Sequence, residues 1–336
     1  FRDIFNIISK LTARRLVIYG KKLSGYYLSR LTGKPYHFGM PVSLSIEPTT
    51  SCNLRCPECP RGLRSFSRPI GMLQPGFYQK VIDELSPNLL YLILYFQGEP
   101  YLNKNLFKMI RYAADKKIYT ATSTNAHYLD EENARQTVES GLDRLIISID
   151  GTTQQTYEQY RVGGSLEKVL QGVENIVKWK KKLQSKTPHL IFQFLVVKPN
   201  EHQIEEVKLL ARKSGIDEVV FKTAQLYNFK NGNDLLPENL QYSRYKKNKD
   251  GTYSIKNPLN HHCWKMWHSC VVTWDGKVVP CCFDKDAKHL LGDVANQSFK
   301  SVWQSKAYYG FRKAVLQSRS NIDICTNCTE GMKVWA

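Results

Sequence analysis

The sequence predicts an α/β fold: successive strand–helix units wound about a parallel sheet, followed by a small second domain. Three observations predict it. Strand-length apolar runs alternate with helical patterns over residues 43–226, a group of cysteines directly follows the first run, and a hairpin signal with more cysteines lies near the chain's end. Strand–helix alternation of this kind builds parallel sheets. A chain of 336 residues has room for about two domains.

Strand-like runs occupy 43–48, 89–97, 118–124, 144–150, 190–197 and 218–224. Helical patterns fill 76–85, 105–116, 130–140, 166–183 and 203–214, the last with Ile204, Val207, Leu210 and Ala211 on one face. Six strands with five intervening helices fit a doubly wound sheet or a partial barrel, and sequence order alone does not separate the two. In either, reactive loops gather at the C-terminal ends of the strands. There lie Cys52 after strand one, Gln97-Gly98-Glu99-Pro100 after strand two, Thr122-Ser123-Thr124-Asn125 after strand three and Ser148-Ile149-Asp150-Gly151 after strand four. Residues 227–262 lose the periodicity, carry turn chemistry at 249–252 and read as a connector, either lining a substrate cavity or serving as a disordered tether. The expected organisation is a basic helical extension at 1–40, the strand–helix unit at 41–226, the connector at 227–262 and the second domain at 263–336.

Lys and Arg outnumber Asp and Glu by 48 to 30, a net charge of +18. Residues 1–34 hold Arg2, Lys10, Arg14, Arg15, Lys21, Lys22, Arg30 and Lys34 against Asp3 alone. Such a field favours anionic partners: a phosphorylated substrate, nucleic acid or acidic lipid. Ile4, Ile8, Leu11, then Leu23, Tyr27 and Leu31 recur at helical spacing in this stretch. A helix packed on the main unit is the preferred reading, with contact to a membrane surface as the alternative. No run approaches 18 consecutive apolar residues, and Lys10, Arg14 and Arg15 interrupt any signal-peptide core, so none is expected. Nine cysteines grouped in short motifs point to metal ligation in a reducing cytoplasm rather than to a disulfide scaffold.

Cys52, Cys56 and Cys59 follow the spacing C-x3-C-x2-C. Iron–sulfur cubes are normally held by four cysteines, so three leave one iron open; zinc ligation is the competing reading. The spacing resembles the radical S-adenosylmethionine (SAM) enzymes. The resemblance implies a partial (β/α)6 TIM-type barrel, a [4Fe-4S] cluster on the three cysteines, and SAM chelating the open iron through its amino and carboxylate groups. One electron then cleaves SAM to a 5′-deoxyadenosyl radical that takes hydrogen from the substrate. It further implies that Gly98, Glu99 and Pro100 form a GGEP-like motif with Glu99 facing the SAM amino group. Ser148 and Arg161 match positions at the carboxylate, and Ser123 and Asn125 would lie by the ribose or methionine portion. Gln97 replaces the motif's first glycine, and Glu58 stands where many members carry an aromatic residue.

Cys263, Cys281 and the pair Cys325 and Cys328 form the second set, with Asp275-Gly276 as a hairpin turn between two alternating segments. Four thiolates close a site completely, for zinc or for a cube. The pattern, with Gly276 five positions before Cys281, resembles the auxiliary-cluster module of the SPASM and twitch families. Val334 stands six positions after Cys328 where the full SPASM form continues with cysteine, which favours the one-cluster twitch form. The adjacent Cys270 and Cys282 are set aside on the family pattern, Cys270 as a buried small hydrophobe. A helical segment at 299–316 leads to the last pair.

The resemblance implies a radical SAM oxidoreductase. It would dehydrogenate a polar, anionic small molecule, with a second [4Fe-4S] cluster as electron acceptor and a flavodoxin or ferredoxin as reductant. A peptide maturase that oxidises or cross-links side chains is the second reading. A zinc-bearing nucleic-acid-binding protein is the third, disfavoured because Glu99 and Arg161 share a rim with the cysteine triplet. No catalytic base is identified.

Overall fold

The computed structural model describes residues 2–331, so Val334 and the end of the 263–336 unit lie outside the described residues. Helices α1 (Arg2–Ser9) and α2 (Ala13–Thr32) lead into strand β1 (Ser43–Ile46). Then follow α3 (Pro75–Leu85), β2 (Tyr91–Ile93), α4 (Leu106–Asp115), β3 (Tyr119–Thr124), α5 (Glu131–Glu139) and β4 (Arg144–Ser148). Helices α6 (Gln154–Tyr160) and α7 (Leu166–Lys182), β5 (His189–Val196), α8 (Ile204–Lys213) and β6 (Glu218–Thr223) complete the unit. Local chemistry fixes the helix starts: the side chains of Asp130, Thr153 and Ser165 accept from backbone N–H groups in the first turns of α5, α6 and α7.

Strands β1 to β6 pair in sequence order, each parallel to the next. A doubly wound sheet reverses direction part-way across; this one never does. The unit is therefore a partial barrel, the alternative the cysteine triplet favours. Its core lies between strands and helices, where Leu44, Leu92, Leu145, Leu190 and Phe192 are fully buried.

After β6 comes a small antiparallel pair, β7 (Tyr245–Lys247) and β8 (Tyr253–Ile255), turning at Gly251 with φ +84°. The connector is thus an ordered, packed element and not a tether. Helix α9 (Lys265–His268) precedes β9 (Val271–Val272), β10 (Lys277–Val279) and β11 (Gly292–Asp293), and α10 (Phe299–Trp303) and α11 (Lys306–Gln317) close the fold. Gly276 turns the expected hairpin with φ +90°. Strand β9 pairs in parallel with β1 through Ser45–Val271 and Ile46–Val272, so the hairpin extends the barrel sheet to nine strands. The helix expected over 299–316 is broken in two because the Ser305 hydroxyl accepts from Tyr308 N–H and starts a new helix.

Candidate functional site

The loop carrying the cysteine triplet leaves β1 and is tied at its neck. Thr49 Oγ1 donates to Gly71 O (2.9 Å), Gly71 N donates to Thr50 Oγ1 (3.0 Å), and Leu73 N donates to Pro48 O (3.0 Å). Inside the loop, Cys59 N donates to Cys56 O and Leu63 N to Cys59 O. Cys56 is buried, and all three thiols share an apolar cluster with Leu54, Tyr160 and Val197. Burial pushes the Cys52 thiol up to about 11 and also raises Cys56, against the pull of Arg161. The raised values favour the protonated thiols of Cys52 and Cys56, and cationic iron would favour the thiolates.

Gly98 presses against the chain entering Cys52. At φ +74°, a Cβ there would lie 2.4 Å from Thr49 O and 2.7 Å from Ser51 O. Glu99 N donates to Ser51 O (2.7 Å), and Pro100 opens the short turn that follows. The buried Glu99 carboxylate accepts from Tyr101 N and Thr124 Oγ1 on Oε1 and from Asn125 N on Oε2 (2.7 Å). Burial outweighs these bonds and lifts its pKa to about 7. Asn125 Nδ2 in turn donates to Asn53 Oδ1 (2.8 Å) and lies 3.9 Å from Cys52 Sγ.

Arg161 ends α6. Its Nε donates to Asp150 Oδ2 (2.5 Å), and its Nη1 lies 3.9 Å from Cys56 Sγ. Burial opposes the guanidinium charge, but Asp150 and Cys56 raise its pKa well above normal. Asp150, fully buried, also accepts Leu195 N–H on Oδ1 (2.7 Å). Two short networks thus reach the triplet, one through Glu99 and Asn125 to Cys52 and one through Asp150 and Arg161 to Cys56. Ser123 and Ser148 stand on the same rim, on β3 and at the end of β4, and make no side-chain hydrogen bond among the described residues.

Four of the later cysteines line one apolar cavity: Cys263, Cys281, Cys325 and Cys328, beside Met266, Phe283 and Phe311. Burial raises the Cys325 thiol and lifts Cys328 to about 12. Gly331 passes so close that a Cβ would meet Cys263 Sγ at 2.3 Å. Cys270 points elsewhere, buried beside Tyr308, Arg312 and Lys22, and Cys282 is exposed with Sγ 3.8 Å from Lys265 Nζ. His262 is also turned away, its Nδ1 2.7 Å from Tyr26 Oη. No three His, Cys, Asp or Glu side chains among the described residues could chelate one metal ion. A cube places each thiolate on a different iron, so its ligands need not converge as zinc ligands do. Two all-cysteine donor sets, each lined largely by apolar side chains, fit such clusters.

Sequence reasoning missed the ground between the two sets. Glu58 accepts from Tyr227 N (2.9 Å) and Asn233 Nδ2 (3.4 Å), pinning the connector over the triplet, and Phe229 stacks on Tyr245 at 4.3 Å. Lys285 Nζ donates to Tyr227 Oη (3.2 Å). Burial lowers the Lys285 ammonium, while Cys59, Cys282 and Glu58 favour its charge. Lys265 pairs with Glu330, and the Arg244 guanidinium lies 5.9 Å from the centre of the Phe283 ring. The departure at Glu58 was the one sequence signal of this arrangement.

Residues 46–211 match the model of the radical SAM superfamily, and residues 263–329 match the SPASM iron–sulfur cluster-binding domain. The chain is 23% identical over 319 residues to the AdoMet-dependent heme synthase of Methanosarcina barkeri, covering 85% of this chain and 88% of that protein. It is 24% identical over 296 residues to the PqqA peptide cyclase of Bradyrhizobium diazoefficiens, covering 82% and 76%. The structure of anSMEcpe with bound AdoMet shares the fold, with a TM-score of 0.62 at 19% identity over 81% of this chain and 82% of that one. The chain belongs to the radical SAM superfamily, as an enzyme that works with SAM and a [4Fe-4S] cluster and carries a C-terminal SPASM iron–sulfur domain.

Proposed function

We propose that the enzyme dehydrogenates a polar, anionic small molecule held between two clusters, one on Cys52, Cys56 and Cys59 and one on Cys263, Cys281, Cys325 and Cys328. When bound, the cofactors would supply one-electron chemistry and a 5′-deoxyadenosyl radical able to remove one hydrogen atom from substrate carbon; net oxidation would require a further electron and proton to leave the substrate. Arg161, anchored by Asp150, keeps N–H groups for the SAM carboxylate, and Glu99 Oε2 retains acceptor capacity for its ammonium. Gly98, Pro100, Ser123, Asn125 and Ser148 shape the rest of that pocket. Lys265, Lys285 and Arg244 face the substrate's anionic group, and the connector at 227–262 excludes water over the triplet.

The observation that carries this reading is Lys285, a half-buried cation closely following Cys281 and Cys282 in the chain. It donates to Tyr227 Oη, on the connector segment whose backbone N–H Glu58 of the triplet loop accepts. A peptide side chain is the second reading, favoured by the likeness to PqqA peptide cyclase across most of both chains. A flavodoxin or ferredoxin in a reducing cytoplasm would serve as electron donor. We also take 1–40, 41–226, 227–262 and 263–336 as the working units.

The test is anaerobic purification with iron and sulfide counting, then addition of dithionite and SAM. Cubes on both sets hold about eight irons. Cys56→Ala should lose about half of them and all 5′-deoxyadenosine release, and Lys285→Ala should raise KM for an anionic substrate while leaving uncoupled SAM cleavage intact. Full SAM cleavage in Cys56→Ala would refute the ligand assignment.

A further inference from the structure

Helices α1 and α2 bury charged residues while exposing much of their apolar surface. The residue α1 buries is Asp3, and α2 buries Arg15, Lys22, Gly25, Tyr26 and Ser29. Among the described residues these buried charges have partners, Arg15 Nε alone being left over. Asp3 pairs with Arg144 and accepts from Tyr119, Arg15 donates to the carbonyls of Lys10, Ser86, Lys116 and Lys117, and Lys22 donates to Gly39 O and contacts His37.

Tyr19, Leu23 and Tyr26 pack on the core, but many of the other apolar side chains face outward. Ile4, Phe5 and Ile8 are exposed on α1, and Leu16, Val17, Tyr27, Leu28 and Leu31 on α2, with Phe5 at 68% and Leu31 at 84%. On α2 these residues recur at helical steps, with Ala13, Gly20 and Ser24 on the same side, and none is charged. Exposed Arg14, Lys21 and Arg30 flank the strip. Asp3, the sole acidic residue of 1–34, is buried in its ion pair, so the charges that this segment itself exposes are all positive, although Asp143 pairs with Lys10 beside α1.

We propose that this face seats on an anionic lipid bilayer, with α1 and α2 lying in the interface. Charge complementarity selects the occupant: apolar residues enter the acyl boundary while flanking Arg and Lys meet acidic head groups. A second copy would oppose like charges. A specific protein interface would ask for about one hydrogen bond per 100–200 Å², and apart from Ser24 and Tyr27 the strip's side chains offer none. No helix among the described residues is long and apolar enough to cross a membrane, so the contact is peripheral. Asp3 and Arg15 pack at the starts of β3 and β4, whereas the cysteine triplet sits at the opposite strand ends.

The test is co-sedimentation of the cluster-loaded enzyme with vesicles of phosphatidylcholine alone or mixed with phosphatidylglycerol. Binding is expected only to the mixed vesicles and should weaken with salt as screening sets in. Leu28→Glu with Leu31→Glu should weaken it by roughly tenfold or more, with SAM cleavage unchanged as proof of folding. No sedimentation, sedimentation indifferent to the substitutions, or a dimer or acidic-protein complex that the same substitutions dissolve would each overturn the proposal.

Discussion

At the scale of single residues, the reactive rim is organised by buried charge. Arg161 is held between Asp150 and Cys56, and Glu99 spends three of its acceptor positions on backbone and Thr124 donors. Such groups are positioned at the cost of dehydration, so breaking one pair is expensive. Asp150→Asn should destabilise the protein by about 3–5 kcal/mol in urea unfolding, because a buried guanidinium is left without its carboxylate. Adding Arg161→Met should recover part of that loss. Equal losses in the single and double variants would show that the uncompensated charge is not the cause. Asp150 lay in view on the strand-four rim, yet its role needed the fold: Asp150 and Arg161 meet only because α6 turns the chain back on itself.

At the scale of elements, the structure follows the sequence closely where a segment is long and periodic. All six barrel strands and the five expected helices between them are present, with ends shifted by up to four residues. The missed helix, α6, has seven residues and a polar composition, so it carries no apolar stripe to read. The strand-two loop is tightly packed at the site, and Gly98 is its limit. Gly98→Ala should cost about 1–3 kcal/mol through backbone strain and loosen iron retention by the triplet. Gly76→Ala, on α3 where a Cβ meets nothing within 4 Å, should be neutral or stabilising by up to about 1 kcal/mol. Thermal unfolding of the two variants checks the contrast, and equal effects would remove close approach as the reason for glycine at position 98.

At the scale of the whole molecule, a polar seam joins α2 to the C-terminal elements. Tyr26 packs edge-on against Trp264 and Trp267, His37 against Trp303, and His268 stacks on Trp264. Burial, aided by Lys265 and Lys22, pushes His268 down to about 3. His37 is also far below its usual range, through burial and then Arg312 and Lys22. Both bind their protons more readily unfolded than folded, so stability is full above pH 6.5 and falls as the pH drops below it. The loss should approach about 1 kcal/mol per histidine for each pH unit. Urea midpoints at pH 7.5 and 5.5 check this: wild type should drop, and His37→Gln with His268→Gln should flatten the difference. A midpoint that is the same at both pH values would contradict it.

The sequence alone determined the inventory: two cysteine sets, their spacing, the strand–helix alternation and the turn at Gly276, all encoded within short stretches of chain. Only the tertiary structure decided that the strands pair in unbroken order and that the hairpin joins β1. It likewise decided that Cys263 and Cys281 share a cavity with the last pair while Cys270 and Cys282 do not, and that Glu58 docks the connector. These are relations between residues far apart in sequence, fixed by which surfaces can be buried together. A local pattern reports its own periodicity, not its neighbours.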